Sequence, residues 1–418
     1  MHWLILLIVS SVIGLSSGIS LEEFSGRRQA LRKSLDGGLF VTVGAVESDH
    51  GDGRSGFFQE GNFYYLTGWT EPGALLLMDG ESEILFLPKA NPIRERYTGK
   101  KLTAESSDAI RLTGFQKVMD IEQFEPQLFS RMEKPRKIYA DFTNPTSEKY
   151  KNVLALRKTE DARPLVYALR AKKSANEIAL IQRTTDISVD AHEAAWLKAK
   201  AGMHEYQLSA AMTNVYFENG CERNAYAPIV GSGGNATILH YNKNTRKMDA
   251  GELVLMDVGA ECSYYATDIT RTIPVNGKFT ARQREIYEIV LGAQQAAIDA
   301  AKPGMIIRGT DDAKSLHKIA FDYINTHGKD LKGEPLGKYF THGIGHHVGL
   351  DVHDPWTPDK ELAEGHVITI EPGIYISEEG IGVRIEDILL ITATGAKVLS
   401  GALPRDPDAI QKFLAAGK

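Results

Sequence analysis

From residue 21 to about 165 the chain alternates short apolar runs with turn residues. The runs at 39–43, 63–66, 74–78, 84–87 and 137–140 have the length of strands. Asp79-Gly80 marks a hairpin between two of them, and helices fill the gaps, so this stretch reads as an α/β domain. Around 156–173 the pattern becomes basic and irregular, with Pro164 inside it. Ser174-Ala-Asn-Glu177 then forms a capping box, Ser for the backbone N–H of Glu177 and Glu for that of Ser174, opening a helix of more than twenty residues. The boundary is expected near 165, giving one domain over 21–165 and a second over 166–418. Within the second, Ala199-Lys-Ala-Gly-Met203 and Ala301-Lys-Pro-Gly-Met305 lie 102 residues apart. Each follows a long helical segment and precedes a further helix and a strand hairpin carrying two acids, so a faint internal repeat is expected.

Length agrees with this division, because 418 residues exceed one ordinary core of about 100–200 residues. A net charge of −6 gives no reason to expect nucleic acid as a partner. Residues 1–18 stand apart: apolar runs at 4–9 and 12–15 are followed by Ser16, Ser17 and Gly18, the pattern of a secretory signal peptide. The run is shorter than the ~20 apolar residues of a spanning helix. An exported protein, periplasmic or secreted, with no stable membrane insertion after signal removal is expected. Cys221 and Cys262 allow at most one internal disulfide and are read as ordinary half-buried thiols.

The chemistry lies in two hairpins. Residues 252–259 (ELVLMDVG) and 264–272 (YYATDITRT) read as paired strands, and a turn centred between Cys262 and Ser263 would set Asp257 directly opposite Asp268. Opposed residues share a face with Cβ atoms ~5 Å apart, so the two carboxylates would repel unless a cation stood between them. Residues 367–371 (VITIE) and 382–390 (GVRIEDILL) repeat the arrangement about a turn near Glu379, setting Glu371 opposite Glu386. A lone carboxylate in an apolar strand needs a charge partner. Between the hairpins, Thr341-His-Gly-Ile-Gly-His-His347 holds His342 and His346, which share a face in extended backbone. His347 and His366 are expected to be ordinary satisfied histidines, whereas His342, His346 and His353 are candidates for the site. Asp257, Asp268, His346, Glu371 and Glu386 form an oxygen-rich ligand set without thiolate, suited to Mn²⁺ or a similar octahedral ion. Four carboxylates are too many for one ion. Two are expected, with a hydroxide bridging them as nucleophile and hydrolysis as the reaction class.

The segments DVGAECSYYATDITRT, THGIGHHVGLDVHD, EPGIY and GVRIED resemble, in order and spacing, the pita-bread metallopeptidases, a family that includes methionine aminopeptidase, prolidase and Xaa-Pro aminopeptidase. GNFYYLTGWTEPGALLLM (61–78) and ILFLPKANPIRERYTGKKL (84–102) resemble the N-terminal domain of aminopeptidase P. The resemblance implies an α/β (α+β) chain, an N-terminal α/β domain followed by a pita-bread catalytic domain. It implies that Asp257 chelates one metal, that Asp268 and Glu386 bridge both, and that His346 and Glu371 complete the second. His240, His342 and His353 would stand on the substrate side and Arg384 would hold the ligand shell. Glu371 would take the nucleophile's proton and pass it to the leaving proline nitrogen. The metals implied are two divalent ions, Mn²⁺ with Co²⁺ or Zn²⁺ as alternatives. The partners implied are peptides with proline at the second position and further copies of the chain, as dimer or tetramer. Cys262 and His347 depart from the family's usual aromatic residues. Prolidase, limited to Xaa-Pro dipeptides, is the alternative, and a non-enzymatic binding protein on the same fold is the remote one.

Overall fold

The structure, a computed structural model, describes residues 18–47, 56–133, 137–141, 148–154, 157–357 and 359–417. Residues 1–17 of the expected signal peptide lie outside them. The chain divides into two compact units, residues 1–169 and 170–418. No described helix is long and apolar enough to cross a membrane.

The first unit is built on a six-stranded mixed sheet in the order Lys117–Asp120, Glu83–Leu87, Leu75–Met78, Leu39–Val43, Ile138–Ala140, Thr159–Asp161. Leu39–Val43, Leu75–Met78 and Glu83–Leu87 are buried at every position, which explains their unbroken apolar reading. The hairpin at Asp79 closes as expected, the Asp79 carboxylate accepting from the backbone N–H of Glu81 and Ser82 at 2.9 and 2.8 Å. The run at 63–66 is not a strand. It lies in the helix Gly61–Thr67, where Glu60 accepts from the N–H of Asn62 and Phe63 and Gly68 ends the helix in the left-handed region at φ 65°. Every residue from 62 to 67 is buried, so the run has no polar face to reveal its period.

The second unit opens with the expected capping box. Glu177 N donates to Ser174 Oγ at 3.2 Å and Ser174 N to Glu177 Oε2 at 2.9 Å, starting the 24-residue helix Ala175–Lys198. The faint repeat is a backbone repeat. Helices Ala175–Lys198 and Ala281–Ala300 both end one turn before a glycine with positive φ, Gly202 at 89° and Gly304 at 87°. Gly202 N donates to Met248 O and Gly304 N to Leu362 O, each at 2.9 Å, while Met248 N and Leu362 N return bonds to Met203 O and Met305 O. Gly251 and Gly365, at 86° and 89°, then turn the chain into strands Leu253–Val258 and Val367–Ile370. Conformations that cost a side-chain-bearing residue strain fall at equivalent points of both halves.

The two hairpins differ in register. In the first, Ser263 and Tyr264 both have positive φ (52° and 70°) and form a two-residue turn between the paired residues Cys262 and Tyr265. The turn is one residue later than expected, so Thr270, not Asp268, stands opposite Asp257. A two-residue offset in pairing keeps the same face, and the two aspartates end up diagonal neighbours. Gly259 lies where the strand breaks, and a Cβ there would strike the carbonyl oxygen of Thr267. In the second hairpin two ladders share one register, Ile370 opposite Asp387 and Gly373 opposite Arg384. Glu371 and Glu386 fall opposite each other in the gap between them, as the sequence predicts.

The cysteines depart from expectation. Cys221 and Cys262 are both buried and form a disulfide, with Cα atoms 4.2 Å apart. Their separation of 41 residues hides the contact, which arises because Arg223–Asn224 pairs with Ala260–Cys262. The unit's core joins both helix pairs to both hairpins, from Trp196 and Tyr216 to Ile370, Val383 and Leu389.

Candidate active site

Both hairpins break their ladders where the acids stand, and the acids of both face one cavity of about 690 Å³. Asp257, Asp268, His346, Glu371 and Glu386 line it, together with His240, His342, His353 and Arg384. All nine residues singled out from the sequence are therefore brought to one place. Asp257 is the penultimate residue of the strand Leu253–Val258, Asp268 precedes Ile269–Pro274, and Glu371 follows Val367–Ile370. His346 comes from the irregular segment that leads into the second hairpin. Gly345 lets that segment press on the second hairpin, since a Cβ there would collide with Thr369 O. Thr369 N donates to His346 O at 2.8 Å and His346 N to Thr369 Oγ1 at 3.1 Å.

The donor atoms converge. One ligand atom each of Asp268, His346 and Glu386 lies within 4.8 Å of the others. His346 Nε2 is 3.4 Å from Asp268 Oδ2 and 3.6 Å from Glu371 Oε1. His346 Nδ1 donates to His347 O at 3.0 Å, which turns Nε2 toward the acids. The Tyr226 hydroxyl lies between Asp257 Oδ1, at 2.5 Å, and Asp268 Oδ1, and ties the first two carboxylates together. Glu386 is fixed by Thr270 Oγ1, which donates to its Oε2 at 2.7 Å, and by its own N–H on Thr270 O at 3.0 Å.

Electrostatics fit a dication. Burial pushes Asp257 up to about 6, the nearby Asp268 charge adding to it and Arg384 opposing it. Burial pushes Glu371 up to about 7, and it holds Glu386 well above the carboxylate range, with Asp268, Glu371 and Asp257 adding to the effect. Burial also acts on Asp268, but the hydrogen bond and charge of His346 overcome it and lower the carboxyl. His346 rises to about 9 because Asp268 and Glu371 outweigh its own burial. Four crowded carboxylates, three of them pushed toward the neutral form, make a site that positive charge would relieve. The donors are oxygens and one imidazole, so the residues present fit divalent metal ions.

Arg384 is the organiser. It is buried, donates Nη2 to Asp257 Oδ2, and reaches Thr270 Oγ1 from Nε at 3.2 Å and the Tyr375 hydroxyl from Nη1 at 2.9 Å. Tyr375 passes its own proton to His342 Nε2 at 2.7 Å, and His342 Nδ1 donates to Gly343 O at 2.8 Å. Burial and then Arg384 push His342 down to about 3, so this chain holds a neutral imidazole. His353 meets the His346 ring edge-on at 4.2 Å, and His240 stands exposed at the cavity rim. His366 is satisfied, its Nδ1 accepting from Ala363 N at 3.3 Å. His347 is not: it is buried with neither ring nitrogen bonded among the described residues, its ring 5.1 Å from that of His366. Tyr226, Thr270 and Tyr375 were missed from sequence. Tyr375 closes the EPGIY motif and could have been found there; Tyr226 and Thr270 act only through contacts distant in the chain.

Residues 179–393 match metallopeptidase family M24, and residues 24–139 match the aminopeptidase P N-terminal domain. The chain is 34% identical to the Xaa-Pro aminopeptidase of Haemophilus influenzae over 94% of its own length and 97% of that protein's. It is also 34% identical to the Xaa-Pro dipeptidase of Pyrococcus furiosus, over 81% and 90%. The solved structure of Escherichia coli aminopeptidase P with the inhibitor Pro-Leu superposes with a TM-score of 0.83 at 31% identity, covering 96% of this chain and 99% of that one. The chain belongs to metallopeptidase family M24 and carries the aminopeptidase P N-terminal domain.

Proposed function

We infer that the chain is a two-metal aminopeptidase that hydrolyses the Xaa-Pro bond at the N-terminus of peptides. The observation that carries this reading is the convergence of Asp268, His346 and Glu386 with Asp257 and Glu371 on one cavity, in a chain matching aminopeptidase P along nearly its whole length. When bound, two divalent cations supply Lewis acidity at the scissile carbonyl and acidify a water. Asp257, Asp268, His346, Glu371 and Glu386 would hold them. Glu371, pushed up to about 7 by burial, is poised to take a proton from that water and return it to the departing proline nitrogen. His353, exposed at the cavity wall and shifted toward the neutral form by desolvation and the neighbouring His346, can donate to the carbonyl oxygen as charge develops there. Arg384 and Tyr226 orient the acids, and the Tyr375–His342 chain holds a donor-acceptor sequence fixed beside Glu371. Proline makes the bond before it a tertiary amide and offers no N–H, so grip must come from the carbonyl and the free amino terminus.

The oxygen-rich donor set favours Mn²⁺, with Co²⁺ or Zn²⁺ as substitutes. The chain is further proposed to be exported and to act as a dimer or tetramer. The Cys221–Cys262 disulfide and the signal-like pattern at 1–18 support an oxidising compartment. Prolidase is the second reading, favoured by the likeness to the Pyrococcus dipeptidase. Purified protein with Mn²⁺ should cleave Xaa-Pro-Yaa tripeptides, and Glu371→Gln should abolish that turnover. Cleavage of Xaa-Pro dipeptides alone would establish the second reading instead.

A further inference from the structure

The internal repeat breaks at one point, and the break enters the cavity. After Gly202-Met203 the first half needs only the cap His204 before its helix Glu205–Glu218 begins. After Gly304-Met305 the second half inserts nine residues, 306–314, before the cap Ser315 and the helix Leu316–His327. The inserted loop is closed at its base and not left loose. Ile306 N donates to Lys314 O and Leu316 N to Ile306 O, each at 3.0 Å, and His317 N donates to Ile307 O at 3.0 Å. Lys314 Nζ then ties the loop to Glu361 at 2.6 Å. This frame buries Ile307 and turns Arg308 outward, and both line the active-site cavity.

Arg308 has no hydrogen bond or ion pair among the described residues. Arg384 is the other arginine lining the cavity and is committed to Asp257, Thr270 and Tyr375. Arg308 is therefore the fixed positive charge at the cavity's mouth that is free to meet a ligand. Its Nη1 lies 3.6 Å from where a Cβ on Gly343 would stand, and the neighbouring His342 is 3.7 Å from Glu371. Arg308 therefore stands on the Gly343–His342 side of the cavity, the side on which Glu371 lies.

On the reading that the site cleaves Xaa-Pro bonds, we propose that Arg308 binds the C-terminal carboxylate of a tripeptide Xaa-Pro-Yaa and so selects short substrates. The planar guanidinium can meet a carboxylate through two parallel N–H bonds. Arg308 at the mouth places an unpaired positive charge where the carboxylate end of such a substrate would point.

The test compares Ala-Pro-Ala with its C-terminal amide, using the full chain loaded with Mn²⁺. Wild type should show kcat/KM about tenfold higher for the acid, carried mainly by KM. Arg308→Ala should bring the ratio near one, Arg308→Lys should recover part of it, and Arg308→Glu should invert it. Equal cleavage of acid and amide by wild type, or a ratio unchanged in Arg308→Ala, overturns the proposal and leaves the peptidase reading standing. An amidated peptide with Asp at the third position that regains the preference would assign Arg308 to acidic side chains and overturn it too. No cleavage of any of these peptides overturns the peptidase reading and this proposal together.

Discussion

The two halves of the second unit follow the same backbone path and solve different problems with it. Asp257 and Glu371 stand at equivalent positions by the C-terminal ends of Leu253–Val258 and Val367–Ile370, 114 residues apart, the same spacing as Met248 and Leu362. The first half offers short carboxylates tied in place by Tyr226 and stapled nearby by the disulfide. The second offers longer glutamates, the imidazole of His346 and an inserted loop carrying Arg308. Neither half holds its acids alone. Arg384 of the second reaches Asp257 of the first, Thr270 of the first holds Glu386 of the second, and the fully buried Arg271 and Asp387 pair across the seam at 2.6 Å. A repeated fold thus sets two acid pairs face to face, and exchanged side chains lock them.

The largest break of this arrangement is loss of an acid at the shared centre. Asp268→Ala and Glu386→Ala should each lower kcat/KM by about a thousandfold or more, as expected when several kcal/mol of transition-state stabilisation is removed. Metal analysis should find less than the full complement in both variants. If only one of the two variants loses metal, the halves are not equivalent partners in binding.

Next comes a carboxylate of the second half held by two cations from the start of the first. Asp354 is buried between Arg170, at 2.6 Å, and Lys173, at 2.9 Å, just after His353. Burial alone would raise its carboxyl, but the charges of Arg170 and Lys173 overcome it and hold it well below the usual range. Asp354→Asn would leave the buried Lys173 without its carboxylate and Arg170 with the exposed Asp351 in its place, and should cost about 3–5 kcal/mol in urea unfolding at pH 7. A depressed carboxyl adds stability fully above the ordinary aspartate value, about 4, and loses it as the pH falls through the folded value. The gap between wild type and variant should therefore stay constant from pH 8 to 5 and close only in strong acid. A gap that closes near pH 6 would show that another group carries it.

The first half has its own fastening. Replacing Cys221 and Cys262 together by serine should cost about 2–4 kcal/mol, because the bridge closes a loop of moderate length. The loss should appear as a lower Tm, equal to that of wild type in reducing agent. A Tm unmoved by reduction would mean that the pairing of Arg223–Asn224 with Ala260–Cys262 holds the hairpin unaided.

How much of this was legible follows the range of each interaction. Glu371 and Glu386 could be paired from sequence because an acid in an apolar strand stands out and one continuous register joins them. The same arithmetic missed by two for Asp257 and Asp268, because Ser263-Tyr264 makes a left-handed turn without the usual Asn-Gly signal. Phe63 and its neighbours concealed a helix by being buried all round. The disulfide, Tyr226 and Thr270 act across tens of residues, and no local pattern announces them. The internal repeat was visible as five residues, yet its break at 306–314 acquires meaning only in three dimensions.

The smallest effect separates the two halves most cleanly. Tyr226 ties the first pair of acids at 2.5 Å, whereas the corresponding hydroxyl support in the second half is Thr369 Oγ1, a longer 3.4 Å from Glu371 Oε1. Groups that orient metal ligands are worth about 10- to 100-fold in affinity. Tyr226→Phe should weaken Mn²⁺ binding within that range, measured by titration of the chelated protein, while Thr369→Val should change it less than twofold. The phenylalanine keeps the ring and its packing, so a loss of affinity reports the hydroxyl and not a cavity. Equal losses in the two variants would mean that the halves support their acids alike, and the asymmetry would then rest on His346 and Arg384 alone.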